Sequence, residues 1–228
     1  MKPAPIYFFI TFSVLCMATA SIIIRYCSAA PMVIGFYRVL FTAILASFLG
    51  GRGILTECHK LRKKDYLLIS GAGIFLALHF SFWITSLGYT SVSSSVLFTN
   101  LQVIFVLLFS IFILREKLNL WITGGILIAM AGSCLIGLGD LANGRILGDM
   151  LALASGLFVA IYFILGRQIR ARVEIWTYTA IVSLVAALIL LLASIAMGLN
   201  LSHYPARDWF LFILLAVGPG IAGHGILN

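Results

Sequence analysis

Residues 75–83 read FLALHFSFW, a run in which His79 stands among side chains otherwise suited to hydrocarbon. The last eight residues, 221–228, read IAGHGILN and place His224 in the same kind of surroundings. Moving about 141 to 145 positions along the chain brings other features into register, as internal repeats do. The segment PMVIGFYRVLFTAIL, 31–45, then falls on VEIWTYTAIVSLVAALIL, 173–190, with Tyr37 on Tyr178.

The rest of the chain says what is being repeated. Of 228 residues, 62% are hydrophobic and 10% charged, and the mean hydropathy is +1.14. A soluble domain carries only roughly 45–50% apolar residues. Runs near the roughly 20 residues that cross a bilayer lie at Ile6–Ile24, Met32–Gly50, Tyr66–Leu87, Thr90–Leu114, Leu120–Leu138, Leu147–Gly166, Ile175–Ala196 and Trp209–Asn228. Short connections join them. The sequence therefore predicts an all-α, polytopic membrane helix bundle with eight helices. Ile6–Ile24 exceeds the roughly 7–15 apolar residues of a signal peptide and reads as a retained helix.

Five helices separate the repeat copies. That number is odd, so the second copy enters the membrane upside down relative to the first. Residues 1–139 are expected to form one five-helix repeat and 140–228 the first three helices of a second. Two further helices, roughly 60 residues by analogy with Ile84 to Gly139, are expected beyond Asn228 to complete ten.

A net charge of +8 would interest a nucleic acid were it clustered on one soluble face. Here it sorts by side. Lys2, Arg52, Lys60, Arg62, Lys63, Lys64, Arg115, Lys117, Arg167, Arg170 and Arg172 lie at the N-terminus and in the even-numbered loops, and Arg25, Arg145 and Arg207 lie opposite. Basic residues accumulate on the cytoplasmic side, which predicts a cytoplasmic N-terminus in a cell (inner) membrane and no nucleic-acid partner. Cys16, Cys27, Cys58 and Cys134 lack metal-ligand spacing. Neither a metal, another cofactor nor a disulfide framework is expected.

Packing in lipid depends on small residues, and three stripes at four-residue spacing predict close interfaces: Gly73, Ala77, Ser81 and Thr85; Gly125, Ala129, Ser133 and Gly137; Gly148, Ala152, Gly156 and Ala160. On the fourth helix Ser91, Ser95, Thr99 and Gln102 fall within about 80° of arc. This polar stripe either lines a cavity or bonds to neighbouring helices, with Asn100 pointing elsewhere. On the third, His79, Trp83 and Ser86 share a face. Arg38 lies within the second helix, where a charge is costly; it either snorkels, bonds a carbonyl, or meets an anionic group on a solute. The candidate solute path comprises Arg38, His79, Trp83, Ser95, Thr99, Gln102 and His224. An intramembrane hydrolase would need an activated nucleophile; Ser81 is the serine near His79 in sequence, but two helical positions apart they face different ways. No enzyme activity is expected.

The stretch LHFSFWITSLGYTSVSSSVLFTNLQVIFVLLFSIFILREKLNLWITGGILIAMAGSCLIGL, 78–138, has an aromatic-rich third helix, a small-residue run into the fourth, the inner turn LREKL and a glycine-rich fifth helix. With GHGILN, 223–228, as an eighth helix, the whole chain resembles the EamA-type members of the drug/metabolite transporter superfamily. Members often have a proline in mid fourth helix, where this chain has Gln102. The resemblance implies two inverted five-helix repeats and alternating-access transport of small organic metabolites, amino-acid-like or drug-like. Helices three, four, eight and nine would surround the cavity. The implied partners are a small-molecule solute and the lipid bilayer, with a homodimer left open. The alternative is a non-transporting membrane scaffold or an inactive fragment.

Overall fold

The computed structural model describes residues 3–112, 115, 120–143 and 145–225; most of the LREKL turn lies outside these residues, as do the side chains of Gly137 and His224. Each predicted span is helical among the described residues. The first span is α1 (Pro3–Ala18) and α2 (Ala20–Arg25), the second α3 (Pro31–Cys58), and the third α4 (Lys63–Ser86). The fourth is α5 (Val92–Asn100) and α6 (Gln102–Phe112), the fifth α7 (Leu120–Ala142), the sixth α8 (Ile146–Arg170) and the seventh α9 (Ile175–Ala196). The eighth is α10 (Ala206–Leu215), running into a π-helical segment, Ala216–Gly225. Among the described residues, six spans are long and apolar enough to cross a membrane, while the first and fifth offer shorter apolar helices, Thr11–Arg25 and Thr123–Leu135.

Local chemistry sets the boundaries. Pro31 opens α3, where its missing N–H costs no bond. The second span runs past its predicted end at Gly50 but kinks there, because Gly51 takes φ 52° and turns residues 52–58 away. At α4, Asp65 accepts from the Arg62 backbone N–H at 3.0 Å and secures the first turn. Pro219 lies inside the π-helical segment; its ring cannot accept the regular α ladder, and a widened turn is one accommodation.

α3 packs along α9, and α4 along both α8 and α9. The π-helical segment packs on α1 and α3. Exchanging spans one, two and three with spans six, seven and eight maps these pairings onto one another. The core is built from Val33, Phe80, Tyr178, Leu190, Phe212 and Leu215, all buried. Large apolar side chains face outward, such as Phe48 at 83% and Trp121 at 91% exposure, which suits lipid and would be costly in water.

Two of the three small-residue stripes meet neighbours. A Cβ on Gly73 would stand 2.7 Å from Val185 Cβ, and one on Gly156 would stand 2.8 Å from the Thr99 carbonyl oxygen. Ala77, Ala152 and Ala160 are buried, while Ser81 and Thr85 return their hydroxyls to the carbonyls of Ala77 and Ser81. The α7 stripe corrects the expectation in part: Gly125 has open space around it and Ala129 is exposed, whereas Ser133 is buried. Small residues permit close approach, but α7 lies at the margin with lipid-facing Leu127, Ile128 and Leu135.

At one end of the bundle, Asp208 accepts from the Ser28 backbone N–H at 3.0 Å and from Ser28 Oγ–H at 2.5 Å. Arg207 donates to the Tyr26 carbonyl. Burial, and then the Asp208 charge, push the thiol of Cys27 up to about 12. At pH 8 such a thiol is ionised to only about one part in ten thousand. Maleimide labelling of a variant keeping Cys27 alone should therefore rise about tenfold per pH unit from 8 to 11. A plateau by pH 9.5 would contradict that environment.

Candidate functional site

A cavity of about 370 Å³ opens between the first, second, third, fourth and sixth spans. That lies within the roughly 300–1,000 Å³ of small-molecule sites. Its polar lining consists of Ser21, Arg38, His79, Trp83, Thr99, Asn100 and Gln102, and its apolar wall includes Val14, Met17, Phe80, Val96, Val159 and Phe163. Five of the seven predicted path residues thus border one space: Arg38, His79, Trp83, Thr99 and Gln102.

Ser95 does not join them. It is wholly buried, and its Oγ lies 2.6 Å from Ser86 Oγ, tying the fourth span to the third. Ser91, at the start of the stripe, caps α5 by accepting from Ser94 N–H at 3.0 Å. Thr99 borders the cavity while donating to the Ala152 carbonyl at 3.3 Å. The stripe is therefore interhelical at one end and cavity-lining at the other. The backbone of His224 lies in the π-helical segment. Among the described residues, the eighth span borders a second cavity of about 30 Å³ through Gly220, with Arg38, Thr42, Thr179 and Ser183.

Asn100 corrects the sequence reading, because it borders the 370 Å³ cavity. In an unbroken helix Asn100 and Gln102 would point about 160° apart. The fourth span breaks between them: α5 ends at Asn100, Leu101 adopts ψ −3°, and α6 begins at Gln102. No proline stands there. The break falls where glycine lets α8 press on the backbone, since a Cβ on Gly156 would lie 2.8 Å from Thr99 O and 3.4 Å from Gln102 N. Both residues consequently border one cavity.

The third span supplies an aromatic plate. His79 and Trp83 stack with centroids 5.9 Å apart and planes within 7°. His79 is held from across the bundle by Ser155 on α8, whose Oγ lies 2.8 Å and whose carbonyl oxygen lies 3.2 Å from Nδ1. Sequence reasoning missed Ser155, since the two are 76 residues apart. Its position on the closely packed face of α8, one residue before Gly156, was the available signal. Ser81 bonds within its own helix, and Ser155, wholly buried, is absent from the cavity lining.

Arg38 does not snorkel. It is 2% exposed, with its guanidinium carbon 4.3 Å from the Phe80 ring centroid and 5.8 Å from that of Trp83. Cation–π contact of this kind offsets part of the cost of a desolvated charge. Tyr37 beside it donates to the Leu201 carbonyl at 2.6 Å and stacks on Phe212 at 5.1 Å.

A family model described as the EamA-like transporter family matches residues 4–138 and 146–228. An uncharacterized transporter of Methanothermobacter thermautotrophicus is 24% identical over 190 residues, which cover 76% of this chain and 55% of that protein. The chain thus spans little more than half the length of this relative. A solved structure, titled only as the crystal structure of a protein, superposes with a TM-score of 0.71 at 18% identity, covering 98% of this chain and 78% of its own. At that identity the likeness shows the fold.

Proposed function

Because the chain belongs to the EamA-like transporter family, we propose that it is a secondary carrier of small organic metabolites, with the 370 Å³ cavity as the solute site. The observation that carries this reading is a solute-sized space bounded by five spans, in which Arg38, His79, Trp83, Thr99 and Gln102 converge. Polar groups at few, defined points in an otherwise apolar wall orient a small molecule. The wholly buried Ser155 beside His79 favours a positioned imidazole over an enzymatic nucleophile.

In this reading, residues 1–139 and 140–228 belong to two inverted repeats that rock about the cavity. The symmetric pairing of spans supports it. The excess of basic residues in the even-numbered loops supports a cytoplasmic N-terminus and an inner-membrane location. A variant with Cys58 as its sole cysteine should then be blocked by permeant thiol reagents and spared by impermeant ones added outside. Rapid labelling from outside would overturn the orientation.

Flux of a panel of labelled amino acids and organic acids into proteoliposomes tests transport itself. The double variant His79→Ala, Gln102→Ala should lower the flux of the accepted solute at least about tenfold, since two polar anchors are lost together. Undiminished flux removes both residues from the path. Absence of any solute-dependent flux in the unaltered chain favours the scaffold reading.

A further inference from the structure

The lining of the 370 Å³ cavity has a one-sided chemistry. Arg38 and Trp83 are both more than nine-tenths buried, and both border it. Arg38 Nη1 and Trp83 Nε1 are donors without any hydrogen-bond partner. Among the described residues Arg38 makes no ion pair, and none of the residues lining the cavity is an aspartate or glutamate. Phe80 and Trp83 offer ring faces to the guanidinium, which offset charge but supply no oxygen acceptor for Nη1. Buried polar groups in native proteins are almost always satisfied, and a guanidinium lacking a counter-charge is the costliest kind of exception.

Resting on the carrier reading, we infer that the solute class is organic oxyanions. One carboxylate or phosphate group of the solute accepts from Arg38 Nη1–H and Trp83 Nε1–H. Its apolar body lies against Met17, Val159 and Phe163, and the carboxamides of Asn100 and Gln102 meet its remaining polar atoms. The planar guanidinium fork matches the geometry of such oxyanions. With one cation and no carboxylate in the lining, the site favours a net-anionic solute over a cation or a zwitterion.

Binding of benzoate, phenyl phosphate, benzamide and benzylamine to the full chain in lipid nanodiscs, followed by titration calorimetry, tests this directly. At least one of the two anions should bind about tenfold or more tightly than benzamide, with benzylamine weakest, as a charge-assisted pair requires. The tighter anion identifies carboxylate or phosphate as the recognised group. Arg38→Gln should abolish the preference, and Trp83→Phe, which keeps the ring and removes the donor, should weaken the anion about fivefold. Should Arg38→Gln fail to fold, the unaltered chain and Trp83→Phe still decide.

Equal binding of benzamide or benzylamine, a preference that survives Arg38→Gln, or no binding of any probe up to about 10 mM would overturn the inference; this last concentration is well beyond the micromolar to millimolar range of functional sites. The same null result is expected if water in the smaller cavity satisfies Arg38. Arg38-dependent anion binding without solute flux would sink the carrier reading and leave the anion site standing. Flux of a neutral solute, insensitive to Arg38→Gln and to benzoate, would do the reverse.

Discussion

Gly148→Ala is expected to destabilise the bundle by about 3 kcal/mol, the upper part of the usual range for overpacking. The added Cβ would lie 2.6 Å from Thr90 Cβ, 2.7 Å from Thr90 N and 2.7 Å from the Tyr89 carbonyl carbon. Two of these atoms are backbone and cannot rotate away. The turn that carries them is itself fastened, since Thr90 N–H donates to the Ser86 carbonyl at 3.0 Å and Thr90 Oγ1–H donates to Asp149 at 2.8 Å. Relief therefore requires α8 to move off the third and fourth spans, which would disturb the Gly156 contact and the Ser155 grip on His79. Gly125→Ala on α7 provides the control, because a Cβ there meets nothing within 4 Å and the exchange improves helix propensity by up to about 1 kcal/mol. Thermal unfolding in one detergent should place Gly148→Ala roughly 6–12 °C below the unaltered chain, and Gly125→Ala at or slightly above it. Equal midpoints for the two variants would show that α8 is not seated on the 89–90 turn.

That pair of glycines also shows what could be read from sequence. Both stood in stripes of the same spacing, and only one faces a neighbour. Spacing records that a close approach is permitted, whereas the presence of a second helix is a property of the whole bundle. The spans themselves were legible, because their apolar lengths are set by the bilayer, and the expected end of the second at Gly50 falls beside the kink at Gly51. The membership of Arg38, His79, Trp83, Thr99 and Gln102 in one cavity followed from residue chemistry, since ionisable and amide groups in hydrocarbon need partners. Asn100 was misassigned because angular arithmetic assumes an unbroken helix, and the fourth span breaks at Leu101 without proline. Ser95 was assigned to the path because a hydroxyl stripe looks the same whether it faces a solute or, as here, Ser86.

Asp208→Ala should cost about 3 kcal/mol, since hydrogen bonds to a buried carboxylate contribute roughly 1.5–3 kcal/mol each and their loss leaves a backbone donor orphaned. Asp208 is 1% exposed and accepts from both the N–H and the hydroxyl of Ser28, so one side chain fastens the loop after α2 to the first turn of α10. The carboxylate also lies at that helix's N-terminal end, worth a further 0.3–1 kcal/mol or so. Asp65 occupies the related place 143 residues earlier, facing Arg172 at 3.3 Å. There the arginine is 52% exposed, and a pair so well solvated is worth only about 0–1 kcal/mol; breaking it with Arg172→Ala should move the unfolding midpoint far less. A second readout separates a loosened loop from a lost charge. Asp208 is among the groups that hold the Cys27 thiol high, so Asp208→Asn, which retains an oxygen acceptor but removes the charge, should speed maleimide labelling of Cys27 at pH 9 about threefold or more while costing less stability than alanine. Unchanged labelling in Asp208→Asn, together with an unshifted midpoint in Asp208→Ala, would mean that the loop is held by other contacts and that the Ser28–Asp208 link is incidental to the fold.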